Sequence, residues 1–194
     1  MNYCAAPISS QTSQHGFTLI ELVVVIVILG ILAVTAFPRF INLSNSANES
    51  VMQGMRGSLD AASDMVSSQI ILRPQQYNAI TNRFTLNNGQ QIWTRGGYPD
   101  ARWNDTFIHI VNFSDTQLSN QNLCEADTWC VRELGGPWFT GNGYATKVDG
   151  RGFVIHPNGY NADTQKCFVY FFTPNGIVES DPRQPYTGSD FSEC

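Results

Sequence analysis

One carboxylate stands inside a long apolar run. Phe17 to Phe37 spans 21 residues, of which 17 are apolar; the exceptions are Thr18, Glu21, Gly30 and Thr35. A carboxylate in hydrocarbon costs on the order of 2–3 kcal/mol even on lenient insertion scales, and an ammonium nearby offsets that cost. Glu21 is therefore the first candidate for a chemical role, as a charge whose partner is still to be named, with a carboxylate snorkelling to the interface as the alternative. Other reactive groups are sparse. The cysteines are Cys4, Cys124, Cys130, Cys167 and Cys194, an odd count. Cys124-x5-Cys130 is wider than the cysteine spacing of zinc sites, and no histidine pair follows it. His109 and His156 each fall in a strand-like pattern, where a structural histidine is the expected role. Asp149, Asn158, Asn161 and Asp163 offer hard oxygen ligands, but not at the spacing of a calcium loop, so a polar turn is expected. No Gly-x-Ser-x-Gly, His-Glu-x-x-His or phosphate-binding loop is present. The expectation is a protein that is not an enzyme and that holds no metal and no cofactor.

The elements that position these groups are legible in the hydrophobic pattern. A helix rises about 1.5 Å per residue, so Phe17 to Phe37 is long enough to cross a hydrocarbon core of about 30 Å. The run exceeds the 7–15 residues of a cleaved signal peptide's apolar region, and Pro38-Arg39-Phe40 offers no small cleavage site after it. Beyond Pro38 the pattern becomes amphipathic. Ala47, Val51, Met55, Leu59, Ala62, Val66 and Ile70 recur at helical spacing. Arg73-Pro74 ends the run, because a residue before proline is pushed out of the helical region. One long, bent helix is expected from Phe17 to Leu72, with close packing at Gly54 and Gly57.

Residues 74–105 read as irregular, with a turn at Asn87-Asn88-Gly89 and a break at Gly96-Gly97-Tyr98-Pro99. Thr106 to Phe113, Gly152 to Pro157, Cys167 to Thr173 and Gly176 to Glu179 read as strands. Pro174-Asn175-Gly176 reads as a tight turn between the last two. One long helix followed by an antiparallel sheet makes the fold class α+β.

Composition narrows the function. Charged residues are 14%, and eleven Lys+Arg stand against sixteen Asp+Glu, for a net charge of −5. The sequence contains no basic cluster, so no nucleic-acid partner is expected. Aromatic residues at 12% supply a core. Trp93, Tyr98, Trp103, Trp129, Trp138 and Tyr144 fall in predicted loops. Their expected role is to cover a small core, with a glycan or a partner subunit as the alternative.

Gly16-Phe17-Thr18-Leu19-Ile20-Glu21-Leu22, ahead of an unbroken Val/Ile/Leu run, resembles the processing signature of bacterial type IV prepilins and the related pseudopilins. The resemblance extends over residues 16–72. It implies that a membrane prepilin peptidase cuts between Gly16 and Phe17 and that Phe17 is then N-methylated. It implies that Glu21 neutralises the terminal amine of a neighbouring subunit's Phe17, which sets the register of assembly. Gly30 and Pro38 stand where the family has a helix-weakening glycine and a proline, so the stretch between them is implied to unwind partly in the fibre. Residues 1–16 carry no Lys or Arg, unlike the family's usual leaders.

The implied organisation has four parts. Residues 1–16 are a leader that is removed, and residues 17–37 are a transmembrane and assembly helix. Residues 38–72 continue as an amphipathic helix, and residues 73–194 form an α+β head. Removal of the leader discards Cys4 and leaves four cysteines, which allow three pairings. Cys124–Cys130, closing a short loop, and Cys167–Cys194, pinning the C-terminus to a strand, are favoured; the second resembles the C-terminal disulfide loop of type IV pilins. An oxidising periplasm permits both.

Within the family, Pro38-Arg39-Phe40-Ile41-Asn42-Leu43, Gly97-Tyr98-Pro99 and the terminal Cys194 look most like pilins of the mannose-sensitive haemagglutinin (MSHA) kind. The implied function is a structural subunit that polymerises through its N-terminal helix into a surface fibre for adhesion and biofilm formation. Its implied partners are other pilin subunits, the peptidase and methyltransferase, the inner-membrane assembly machinery, the membrane and a host or surface glycan. Its implied location is the inner membrane with a periplasmic head, then the extracellular pilus. A pseudopilin of type II secretion is the main alternative, and a membrane-anchored periplasmic sensor or enzyme is the second.

Overall fold

A computed structural model describes residues 17–113, 115–119, 121–125, 128–146, 149–175 and 185–194, with backbone alone at 38–42 and 44. Helix α1, Leu19–Leu72, has 54 residues and runs without a break through Gly30 and Pro38. It closes where expected, ahead of Pro74, with the Arg73 amide donating to the Gln69 carbonyl at 2.8 Å. The chain divides into two compact units between Leu43 and Ser44.

In the first unit every residue from Phe17 to Thr35 is exposed. Leu19–Phe37 is long and apolar enough to cross a membrane. A helix that is apolar all round has no preferred face of its own and must be covered by lipid or by other helices.

The second unit is built on one face of the later part of α1. Met52, Met55 and Leu59 are buried in a core with Trp103, Phe107, Trp129, Phe153, Ile155 and Phe171. Val66 and Ile70 are buried with Phe84 and Ile92. The buried stripe begins at Met52 rather than Val51, which is 48% exposed. The phase is set by Met55 and Leu59, from which Met52 is one helical step back and Val51 is turned by a further 100° or so. Gly54 and Gly57 border open space, contrary to the expected close packing.

Two sheets receive that face. The first is antiparallel: β1 Tyr77–Asn78, β2 Arg83–Thr85, β3 Gln91–Arg95 and β4 Tyr98–Pro99. The second has order β5 Thr116–Leu118, β6 Trp129–Gly135, β7 Gly150–Pro157, β8 Phe168–Pro174 and β9 Tyr186–Asp190. Its β5–β6 pair is parallel and the rest are antiparallel. A short helix α2, Gly136–Gly141, follows β6. The architecture is α+β, with a long apolar N-terminal helix, sheets that are antiparallel except for the β5–β6 pair, and disulfide pairing at the C-terminus.

Two strand expectations change. Residues 74–105 hold the whole first sheet. Its strands are two to five residues long and bury only alternate side chains, so they lack an apolar run. Thr106 to Phe113 contains a 3-10 turn, Phe107–His109, in place of a strand. Phe107 faces the core while its carbonyl accepts the Ile110 and Val111 amides, so a turn mimics alternation. The expected strand Gly176 to Glu179 lies outside the described residues, and β8 is flanked by β7 and β9. The Gly96-Gly97 break is a two-residue hairpin turn between β3 and β4, with φ of 58° and 86°, a geometry that only glycine adopts at little cost.

Candidate assembly site at the head of the apolar helix

Glu21 does not stand alone at the start of α1. Its Oε2 accepts the Thr18 amide at 2.9 Å and the Thr18 hydroxyl at 2.8 Å. The Glu21 amide in turn donates to Thr18 Oγ1 at 3.3 Å. This is a reciprocal capping box: a helix's first amides have no partner within the helix, and a Thr at the cap with a Glu three residues on satisfies two of them. A negative side chain in the first turn also meets the positive end of the helix dipole. Thr18 was not among the expected site residues, although Thr-x-x-Glu before an apolar run is the sequence signal for such a box. Phe17, one residue earlier, is 87% exposed. The head of the helix thus presents an exposed Phe17 ahead of a carboxylate that uses one oxygen for its own cap.

Gly16 and Cys4 lie outside the described residues. Gly30 is helical, with nothing within 4 Å of the position a Cβ would take. Pro38 is helical as well.

The four remaining cysteines form two bonds. Cys124 and Cys130 are joined with Cα atoms 5.5 Å apart, and Cys167 and Cys194 with Cα atoms 4.9 Å apart. The first holds the start of β6 to the segment whose Cys124 amide donates to the Tyr160 carbonyl. The second fastens the last residue to the residue before β8, and there the Lys166 amide also donates to Glu193 Oε2 at 2.7 Å.

The histidines are placed for structure. His109 sits in the 3-10 turn with Nε2 3.4 Å from Gln90 Nε2. His156, on β7, is buried, and its Nδ1 donates to the Tyr160 carbonyl at 3.1 Å. Burial disfavours the imidazolium and pulls its pKa down to about 4; Arg132 acts in the same direction, against the Tyr160 hydrogen bond.

The oxygen-rich segment is also taken. Asp163 Oδ1 accepts the Trp138 indole N–H at 2.9 Å and pairs with Arg132 at 2.8 Å. Asn161 Oδ1 accepts the Asp163 amide. The aromatic residues are less exposed than loops would leave them. Trp103 and Trp129 are in the core at 2% and 6% exposure. Trp138 and Tyr144 pack on Phe168, and the Tyr144 hydroxyl donates to Asp190 at 2.7 Å, so burial and the neighbouring carboxylate raise the phenol's pKa.

Residues 11–37 match the prokaryotic N-terminal methylation motif. No curated protein and no solved structure matches the chain. The motif lies across the capping box and the apolar helix just described, and it supports a type IV pilin-like or pseudopilin subunit.

Proposed function

We propose that this chain is a structural subunit of a type IV pilus of the MSHA kind, which polymerises into a surface fibre for attachment and biofilm formation. The observation that carries the reading is the apolar helix itself. From Phe17 to Thr35 it is exposed on every side, and its single charge is Glu21. Such a helix is stable in a bilayer or in a bundle of like helices, where burial contributes roughly 25 cal/mol per Å².

In this reading the subunit waits in the inner membrane with its head in the periplasm. Prepilin peptidase cuts after Gly16, and Phe17 becomes the methylated first residue. Residues 17–37 serve as the membrane and assembly helix, residues 38–72 carry it into the head, and residues 73–194 complete the head. Glu21 then pairs with the Phe17 amine of the next subunit, because each charge in the apolar interior needs the other. Local unwinding between Gly30 and Pro38 lets the rods pack in the fibre. Glycine costs about 1 kcal/mol there relative to alanine, and proline removes one helical hydrogen bond. The heads coat the outside, where a surface or host glycan is the adhesive partner.

The test is mass spectrometry of the mature N-terminus together with electron microscopy of the cell surface. An N-methylated Phe17 and fibres extending from the cell are expected. An N-methylated Phe17 with no external fibre assigns the chain to a secretion pseudopilus, and an intact Met1 overturns the pilin reading.

A further inference from the structure

The arginines are scattered in sequence but four of them meet in space. Arg83 on β2 and Arg102 lie 3.7 Å and 4.4 Å from the ring centroid of Trp93 on β3. Asp100, buried, is shared by Arg102 at 2.9 Å, Arg95 at 3.4 Å and Arg151 at 3.8 Å. Arg102 also reaches Asp105 at 3.5 Å, and Glu133 nearby accepts the Trp103 amide at 2.6 Å. Three guanidiniums thus share Asp100, and a fourth, that of Arg83, shares the Trp93 ring with Arg102, in a chain whose net charge is −5. Two of the four are under-compensated. Arg83 rests on an aromatic ring and has no ion pair among the described residues. Arg151 is left the most distant share of a carboxylate that Arg102 already holds, and its side chain is 39% exposed.

The complementary surface is on α1. Asp60 and Asp64 are exposed and one helical turn apart, and neither joins an ion pair among the described residues. Like charges at this spacing destabilise a helix by a few tenths of a kcal/mol. Arg56, one turn earlier, is directed instead at Ser189 Oγ on β9, at 3.5 Å.

We propose that the Arg83–Trp93–Arg151 face of one subunit docks on the Asp60–Asp64 face of α1 in a second copy. The inference rests on the fibre reading above and names a head-to-head contact within it. The two surfaces are different patches of one molecule, so the contact is heterologous. A heterologous contact that does not close into a ring propagates as an open filament. Opposed charges steer the encounter and fix the register.

A charge swap in the full-length chain tests this in the producing cell. Formaldehyde fixation of whole cells reads subunit multimers wherever they form, and shearing reads external fibres. Arg83→Asp with Arg151→Asp, or Asp60→Arg with Asp64→Arg, is expected to cut multimers at least about tenfold, and combining all four to restore them to within about twofold. Arg83→Asp alone leaves the Asp100 ion pairs in place, so its loss of multimers reports the contact and not misfolding. Wild-type multimer levels in all of these variants, or a fourfold swap that restores nothing, overturn the contact. Fibres that persist in the reversed variants overturn the contact and leave the fibre reading standing. Charge-dependent multimers without external fibres support the contact and overturn the fibre reading, and a wild type without multimers overturns both.

Discussion

Thr18 and Glu21 hold each other at the head of α1 through three hydrogen bonds, the shortest from the Thr18 hydroxyl to Glu21 Oε2 at 2.8 Å. The pair gives Glu21 two separable roles, one as a helix cap that any hydrogen-bonding side chain of its shape fills and one as a charge. Glutamine serves in a capping box almost as well as glutamate. Glu21→Gln therefore keeps the cap and removes the charge, whereas Glu21→Ala removes both. Both variants are expected to insert and to be cleaved after Gly16, and both to stop fibre formation, because in the proposed assembly the Phe17 amine of the next subunit needs a carboxylate. Normal fibres from Glu21→Gln, counted by electron microscopy, would reduce the residue to a cap.

Cleavage is tested one residue before the apolar helix. A membrane peptidase that accepts glycine at position 16 reads a residue with no side chain, and a bulky replacement there blocks the approach of the backbone. Gly16→Phe is expected to leave a chain that is longer by residues 1–16 on a gel and retains Cys4. A shift to the mature mass in that variant sinks the assigned cleavage point.

His156 makes the head sensitive to acid. Its pKa lies near 4 in the folded state, below the ordinary value of 6.5, chiefly because burial penalises the imidazolium. Unfolded chains therefore take up a proton between those two pH values and folded chains do not. The stabilisation is fully present above about pH 6.5 and is lost as pH falls toward 4, with a limit of about 3 kcal/mol. His156→Asn, which carries no titrating group, is expected to flatten the pH dependence of the urea midpoint across that window. An unchanged slope rules out His156 as its source.

The apolar helix, its carboxylate and the α+β order were readable because they rest on long, strongly patterned segments. Met55, Leu59, Ala62, Val66 and Ile70 repeat at helical spacing and are all buried. Phe168–Pro174 is an apolar run long enough to read as a central strand. The first sheet was hidden for a physical reason. Its strands are short and half-exposed, and polar residues such as Arg83 and Thr85 flank single buried ones such as Phe84. Trp103 and Trp129 looked like loop aromatics because local sequence does not reveal that helix α1 covers them. Asp100 gave no signal at all, since its significance lies in arginines from two different sheets.

That carboxylate ties the sheets together. Arg95 and Arg102 come from the first sheet and the segment after it, and Arg151 comes from β7. Nearby, the Thr173 hydroxyl on β8 donates to the Pro99 carbonyl on β4 at 3.0 Å. Removing one partner of a buried ion pair leaves uncompensated charge and typically costs 3–5 kcal/mol, less when the partners are part-exposed as these arginines are. Asp100→Asn is expected to destabilise the head by about 2–3 kcal/mol in urea denaturation. A change below about 0.5 kcal/mol, the ordinary scale of a surface substitution, contradicts the fastening role.

The two disulfides differ in the loops they close, 6 residues apart for Cys124–Cys130 and 27 for Cys167–Cys194. If a cross-link acts by restricting the unfolded chain, the chain-entropy relation gives about 2 kcal/mol for the short loop and about 3.5 kcal/mol for the long one. The long bond also fastens a C-terminal segment whose last residue has one local backbone hydrogen bond, from the Cys194 amide to the Phe191 carbonyl. Cys167→Ser with Cys194→Ser is therefore expected to lower the urea midpoint more than Cys124→Ser with Cys130→Ser, by the equivalent of about 1.3 kcal/mol of stability. Limited proteolysis separates this from a uniform loss of stability, because in the first variant cleavage is expected to begin after Asp190, where β9 ends. Equal midpoints for the two variants contradict the unfolded-chain account and place the stabilisation in native contacts such as the Lys166–Glu193 hydrogen bonds.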